Sequence, residues 1–192
     1  MDYPTTVQRT SQVAVVATFT AIIIGSDVVL SGPQFSDIKL MDTLVFASAY
    51  VFGFRTGAAI GVLSETIWSF MSPVGMAGAI TPFLVAGELL FALAGWGASR
   101  IWGLRPGVAS GFPIFVAALL VICAFLWDLE TNFATALIAF WPTLPTSQVI
   151  LTVFGPLIMP FYLAHEGSDL AFGLLVAPSF IFLIPRAFGR RP

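Results

Sequence analysis

A chain of 192 residues, 58% apolar and only 9% charged, has the length of one domain but too few ionisable groups to cover a water-facing surface; soluble domains carry about 25% charged residues. Eight basic and ten acidic side chains leave a formal net charge of -2, which excludes a nucleic-acid-binding face and makes lipid part of the solvent. The single cysteine, Cys123, lies in an apolar run and excludes an internal disulfide, a thiolate cluster and a redox pair.

Met1 to Gln12 is polar and nearly uncharged, with Arg9 alone. The following apolar run, Val13–Leu30, is long enough to span a bilayer, so no removable signal is expected. The runs expected to cross are Gln12–Leu30, Leu40–Phe54, Thr56–Met71, Pro82–Ile101, Gly107–Trp127 and Gly167–Ala187. The second and third are short and meet at a tight turn near Arg55, as in bundles that enclose a site. Pro33, Pro73, Pro106 and Pro145 fall between runs, where helices end. Val149–Leu163 is apolar but interrupted by Gly155, Pro156 and Pro160; it reads as a broken or re-entrant piece, or as an extension of the last helix. The expected fold is an all-α integral membrane protein, a six-helix bundle forming a single transmembrane domain over residues 1–192.

Charge supports six crossings. With both ends cytoplasmic, Arg9, Arg55, Arg100, Arg105, Arg186, Arg190 and Arg191 lie inside and Lys39 alone outside. A seventh crossing puts the last arginine cluster outside, against the positive-inside tendency. The acids Asp27, Asp37, Asp42, Asp128, Glu130, Glu166 and Asp169 map to the outer half or outer loops, while Glu65 and Glu88 lie within spans.

An ionisable residue inside a span costs about 2.5 kcal/mol or more and usually faces a cavity, a pathway or a partner. Glu65 and Trp68 share a helical face at i,i+3 spacing, and His165 and Asp169 share one at i,i+4 if helix continues through Gly167. Asp128, Glu130, Thr131 and Asn132 gather at the end of the fifth run. The candidate substrate-binding residues are Glu65, Trp68, Glu88, Asp128, Asn132, His165 and Asp169. For Asp27, Asp37 and Asp42, helix capping or a loop position explains the residue as well as ligand contact does. Trp68 and Trp127 suit either a pocket wall or an interfacial anchor. Ala17, Ala21 and Gly25 form a smooth stripe that serves either internal packing or a partner membrane protein. Gly53, Gly57 and Gly61 let two helices meet closely at the turn. His165, Glu166 and Asp169 could contribute to a metal site only with help from Glu65, Glu88 or Asp128, and one histidine is more often an ordinary hydrogen-bonding residue. Hydrolase and phosphate-loop motifs are missing, so no catalytic residue and no cofactor are expected.

The stretch FSDIKLMDTLVFASAYVFGFRTGAAIGVLSETIWSFMSP, the Ala17-Thr18-Phe19-Thr20-Ala21 element, LWDLETN and PFYLAHEGSDLAFGLLVAPSF resemble, in order and spacing, the substrate-binding S component of an energy-coupling factor (ECF) vitamin transporter. Asp169 stands where asparagine is common in that family. The resemblance implies six helices, a vitamin site near the outer face, no catalysis, and cell-membrane residence. It also implies partners: a transmembrane coupling subunit touching Ala17 and Ala21, and two cytoplasmic ATPase subunits that supply the energy. Because the family's nickel and cobalt proteins use a histidine near a processed amino terminus and this chain begins MDYP, a small organic micronutrient is expected instead. The acidic mouth favours a cation such as thiamine, although carboxylates also accept hydrogen bonds from neutral ligands. The alternatives are a structural or assembly subunit that has lost uptake, and a metal-dependent intramembrane enzyme using His165 and the acids.

Overall fold

The computed structural model describes residues 6–30, 38–72, 77–103, 111–143, 145–155 and 159–187, without the side chains of 6–10 and 185–187. Asp37 and the expected turn prolines Pro33, Pro73 and Pro106 lie outside them. The described residues form α1 (Thr6–Leu30), α2 (Met41–Phe52), α3 (Phe54–Met71), α4 (Thr81–Trp102), α5 (Phe112–Phe140), α6 (Thr146–Phe154) and α7 (Met159–Ala187), with a 3-10 turn at Gly78–Ile80 leading into α4. There is no strand among them. Each of the six expected spans has its helix. Four regions, Ser11–Leu30, Gly78–Trp102, Phe112–Phe140 and the described helical parts of Thr146–Ile184, are long and apolar enough to cross a membrane, which supports a multi-pass membrane protein. Large apolar side chains such as Val29, Ile114, Leu163 and Leu175 point outward, as lipid-facing residues do.

Two boundaries differ from expectation. The fifth helix continues past Trp127 to Phe140, so Asp128, Glu130, Thr131 and Asn132 sit on helix rather than in an outer loop. Their polarity does not end the helix because it is satisfied within it: the Thr131 and Thr135 hydroxyls donate to the carbonyls of Trp127 and Thr131 at 2.9 and 2.8 Å. The last helix begins at Met159 instead of Gly167. The interrupted segment splits, as expected of a broken piece. Its first part is α6, nine residues and too short to span; its last part opens α7. The Tyr162 hydroxyl donates to the Val153 carbonyl at 3.0 Å and ties the two together.

Helix α2 is the centre of the bundle. Its residues from Met41 to Val51 are all buried, as befits a helix apolar on every side. It packs on α3, α4 and α7, while α5 pairs with α7 and α1 lies at the edge against α3. Gly53, with φ of 93°, is the single residue between α2 and α3. Gly57 brings those helices together: a Cβ there would stand 2.4 Å from that of Ala49. The Tyr50 hydroxyl donates to the Gly103 carbonyl, placing the end of α4 beside the end of α2, so Arg55 and Arg100 share one end of the bundle. The chain directions put Lys39, Asp42 and the start of α4 at the other end.

Candidate functional site

The half of the bundle away from Arg55 and Arg100 holds a buried set of ionisable side chains. The end of α1 is fixed to the start of α2 by Asp27, whose Oδ1 accepts from the Leu40 N–H at 3.0 Å. Asp42, in the first turn of α2, makes no capping bond. It turns inward, and its Oδ2 lies 2.7 Å from His165 Nε2. On the other side of the ring, His165 Nδ1 lies 3.0 Å from Asp128 Oδ2. Residues 42, 128 and 165 thus join α2, α5 and α7 in one line. Each nitrogen–oxygen contact needs one proton, supplied by imidazolium or by a carboxylic acid.

The imidazole is held in place by an aromatic wall. Trp127 meets it edge to face with centroids 5.2 Å apart. The indole lies directly on α4, where Gly87 leaves room: a Cβ there would be 2.0 Å from Trp127 Cδ1. The indole N–H donates to the Leu84 carbonyl at 3.2 Å. Lys39 Nζ sits 4.1 Å from the indole centroid, a cation–π contact.

Around this line stand three more acids. Asp169, one turn after His165, is fully buried, and neither of its oxygens has a hydrogen-bond partner. Glu88 on α4 is likewise buried, with both oxygens unpartnered, and its carboxyl neighbours that of Asp42. Glu65 on α3 accepts from the Ser69 hydroxyl at 3.3 Å through one oxygen, leaving the other without a partner. Asp42, His165 and Asp169 each present a ligand-type atom, all within 4.8 Å of one another.

The charges do not balance. Among the described residues, Asp27, Asp42, Glu65, Glu88, Asp128 and Asp169 are buried against two buried basic groups, Lys39 and His165. Removing unpaired charge from water costs several kcal/mol per ion, so such a cluster calls for protons or a cation.

Of the expected site residues, Asp128, His165 and Asp169 come together, with Glu88 beside Asp42. Glu65 faces the same interior. Where α3 passes Glu88 the helices are in contact, since a Cβ at Gly61 would meet Glu88 Cβ at 3.1 Å. Trp68 is buried in the apolar core, so it is not an interfacial anchor. Asn132 is half-buried and stands near the Tyr162 hydroxyl, outside the cluster. Glu166 and Glu130 are also only half-buried. Sequence reasoning missed Lys39 and underrated Asp27 and Asp42, because an acid at a helix end looks the same whether it caps or turns inward.

Ala17, Ala21 and Gly25 are exposed, so their stripe does not serve internal packing. Ala17 and Ala21 line an apolar groove of about 880 Å³ between α1 and α3, with Arg55 and Gln12 at one end. A second cavity, about 460 Å³, lies between α5 and α6. The acidic cluster lines neither. No protein-family model, curated protein or solved structure matches the chain.

Proposed function

We propose that this chain captures a small organic micronutrient within the membrane, as the S component of an ECF-type vitamin transporter, and that its cargo is positively charged. The observation that carries this is the excess of buried acids over bases in one half of a helical membrane bundle, with both oxygens of Glu88 and of Asp169 lacking partners. A cationic ring or amine entering there satisfies carboxylate oxygens that accept no hydrogen bond from a basic group among the described residues, and attraction is strong where the dielectric is low. Glu88, Glu65 and Asp169 orient the cation, with His165 and Asp128 beside them; because the cluster lines neither cavity described above, the helices part to admit it. Both termini are cytoplasmic, with Arg55 and Arg100 on that side and the acids toward the outside, at the cell membrane.

The exposed Ala17/Ala21 groove supports contact with a transmembrane coupling subunit, whose two cytoplasmic ATPase partners drive release. The chain itself is not an enzyme in this scheme. The test is a vitamin screen on purified protein, following unfolding through the single buried thiol, Cys123. A ligand present at 100 times its dissociation constant raises stability by about 2.7 kcal/mol. A cationic vitamin is expected to do so; a panel in which no vitamin shifts the transition, or in which only anionic ones do, refutes the proposal.

A further inference from the structure

We infer that Asp42, His165 and Asp169 form a binding site for a divalent first-row transition-metal ion, which shares Asp169 and His165 with the proposed organic cation and is occupied in its place. The donor atoms of these three residues lie within 4.8 Å of one another on two facing helices, α2 and α7. Ligands at about 2.0–2.2 Å from one ion stand roughly 3–4 Å apart, so an ion fits once the wider separations, up to 4.8 Å, close and the 2.7 Å contact between His165 Nε2 and Asp42 opens.

Three features distinguish this from a mere gathering of acids. First, Asp169 is fully buried, adjoins the other two donors and has both oxygens unpartnered, while Asp42 keeps one oxygen unpartnered. Second, the other ring nitrogen is already held: His165 Nδ1 lies 3.0 Å from Asp128, which orients Nε2 toward Asp42. A carboxylate behind a ligating histidine is the usual means of fixing the tautomer and raising ligand basicity. Third, Trp127 packs against the ring edge to face, holding its plane. Glu88 neighbours Asp42 but is not among the three donors.

The donor set also selects the ion. One imidazole with two carboxylates suits Zn²⁺, Co²⁺, Mn²⁺ or Fe²⁺, whereas Mg²⁺ and Ca²⁺ prefer oxygen alone. On binding, the ion takes the place of the proton between Nε2 and Asp42, and that proton leaves to solvent.

The test uses the full chain in detergent with Co²⁺ as the probe, read by bound cobalt per chain and by its ligand-field absorption. One Co²⁺ per chain is expected, displaced by Zn²⁺ and not by Mg²⁺ or Ca²⁺. H165Q and D169N are expected to lose stoichiometric binding. D128N, which removes only the supporting carboxylate, is expected to bind about 10–100-fold more weakly, and E130Q to bind like wild type. Wild-type protein with a normal unfolding transition that binds no Co²⁺ overturns the inference, as does D128N with wild-type affinity. Such a failure is distinct from failure of the vitamin screen, because the screen is run on metal-free protein and read by organic ligand alone.

Discussion

Replacing Gly87 by alanine probes how α4 holds the site together. The added Cβ would stand 2.0 Å from Trp127 Cδ1, 2.6 Å from Nε1 and 2.9 Å from Cγ. The indole cannot yield locally, since it is buried, bonded to the Leu84 carbonyl and packed on His165. Overpacking of this kind costs about 1–3 kcal/mol, and losing the indole hydrogen bond about 0.5–1.5 kcal/mol more. The gain in helix propensity returns at most about 1 kcal/mol. A net loss of about 1–3 kcal/mol follows, roughly a five- to 150-fold rise in the unfolded fraction. Gly97→Ala, on the same helix with nothing within 4 Å of the new Cβ, is the matched control and is expected to be neutral or slightly stabilising. Denaturant unfolding in detergent, followed by labelling of Cys123, measures both. Equal stability of the Gly87→Ala and wild-type proteins refutes the packing of Trp127 on α4.

His165→Phe leaves Asp42 and Asp128 without their shared partner and is expected to lower stability by about 3–5 kcal/mol in metal-free protein, measured by the same unfolding curve. Gly173→Ala sets a Cβ 2.6 Å from the Ala117 backbone, which has no rotamer to move, and is expected to loosen α5 from α7 and speed Cys123 labelling under mild denaturant. Ala17→Leu with Ala21→Leu fills the exposed groove between α1 and α3 and is expected to leave folding and ligand affinity unchanged while abolishing co-purification of the coupling subunit proposed as its partner.

Much of the architecture is legible in the composition. Runs such as Val13–Leu30 are helices because lipid leaves the backbone no other way to satisfy its hydrogen bonds, and the positive φ of Gly53 matches the expected turn near Arg55. The ends of α5 and α7 were harder to place. A polar stretch such as Asp128–Asn132 ends a helix if it meets water but not if its hydroxyls bond back to carbonyls and its carboxylate finds a histidine, and no local sequence signal separates the two. Asp42 shows the same limit for the site. Its partner, His165, lies 123 residues away in the chain, so only the packing of α2 on α7 reveals that it is buried. The nearness of His165 and Asp169 is readable once helix runs through Gly167, because i,i+4 spacing then fixes a shared face. The outward aspect of Ala17 and Ala21 is not, since small residues suit inner and outer contacts alike.

Native mass spectrometry of gently solubilised wild-type protein and of Glu88→Gln tests the central claim, that the unpaired acids inside the bundle hold a cationic organic molecule. One such molecule per chain is expected on the wild type and little or none on Glu88→Gln. Bare protein mass in the wild type, or equal occupancy in both, contradicts the claim.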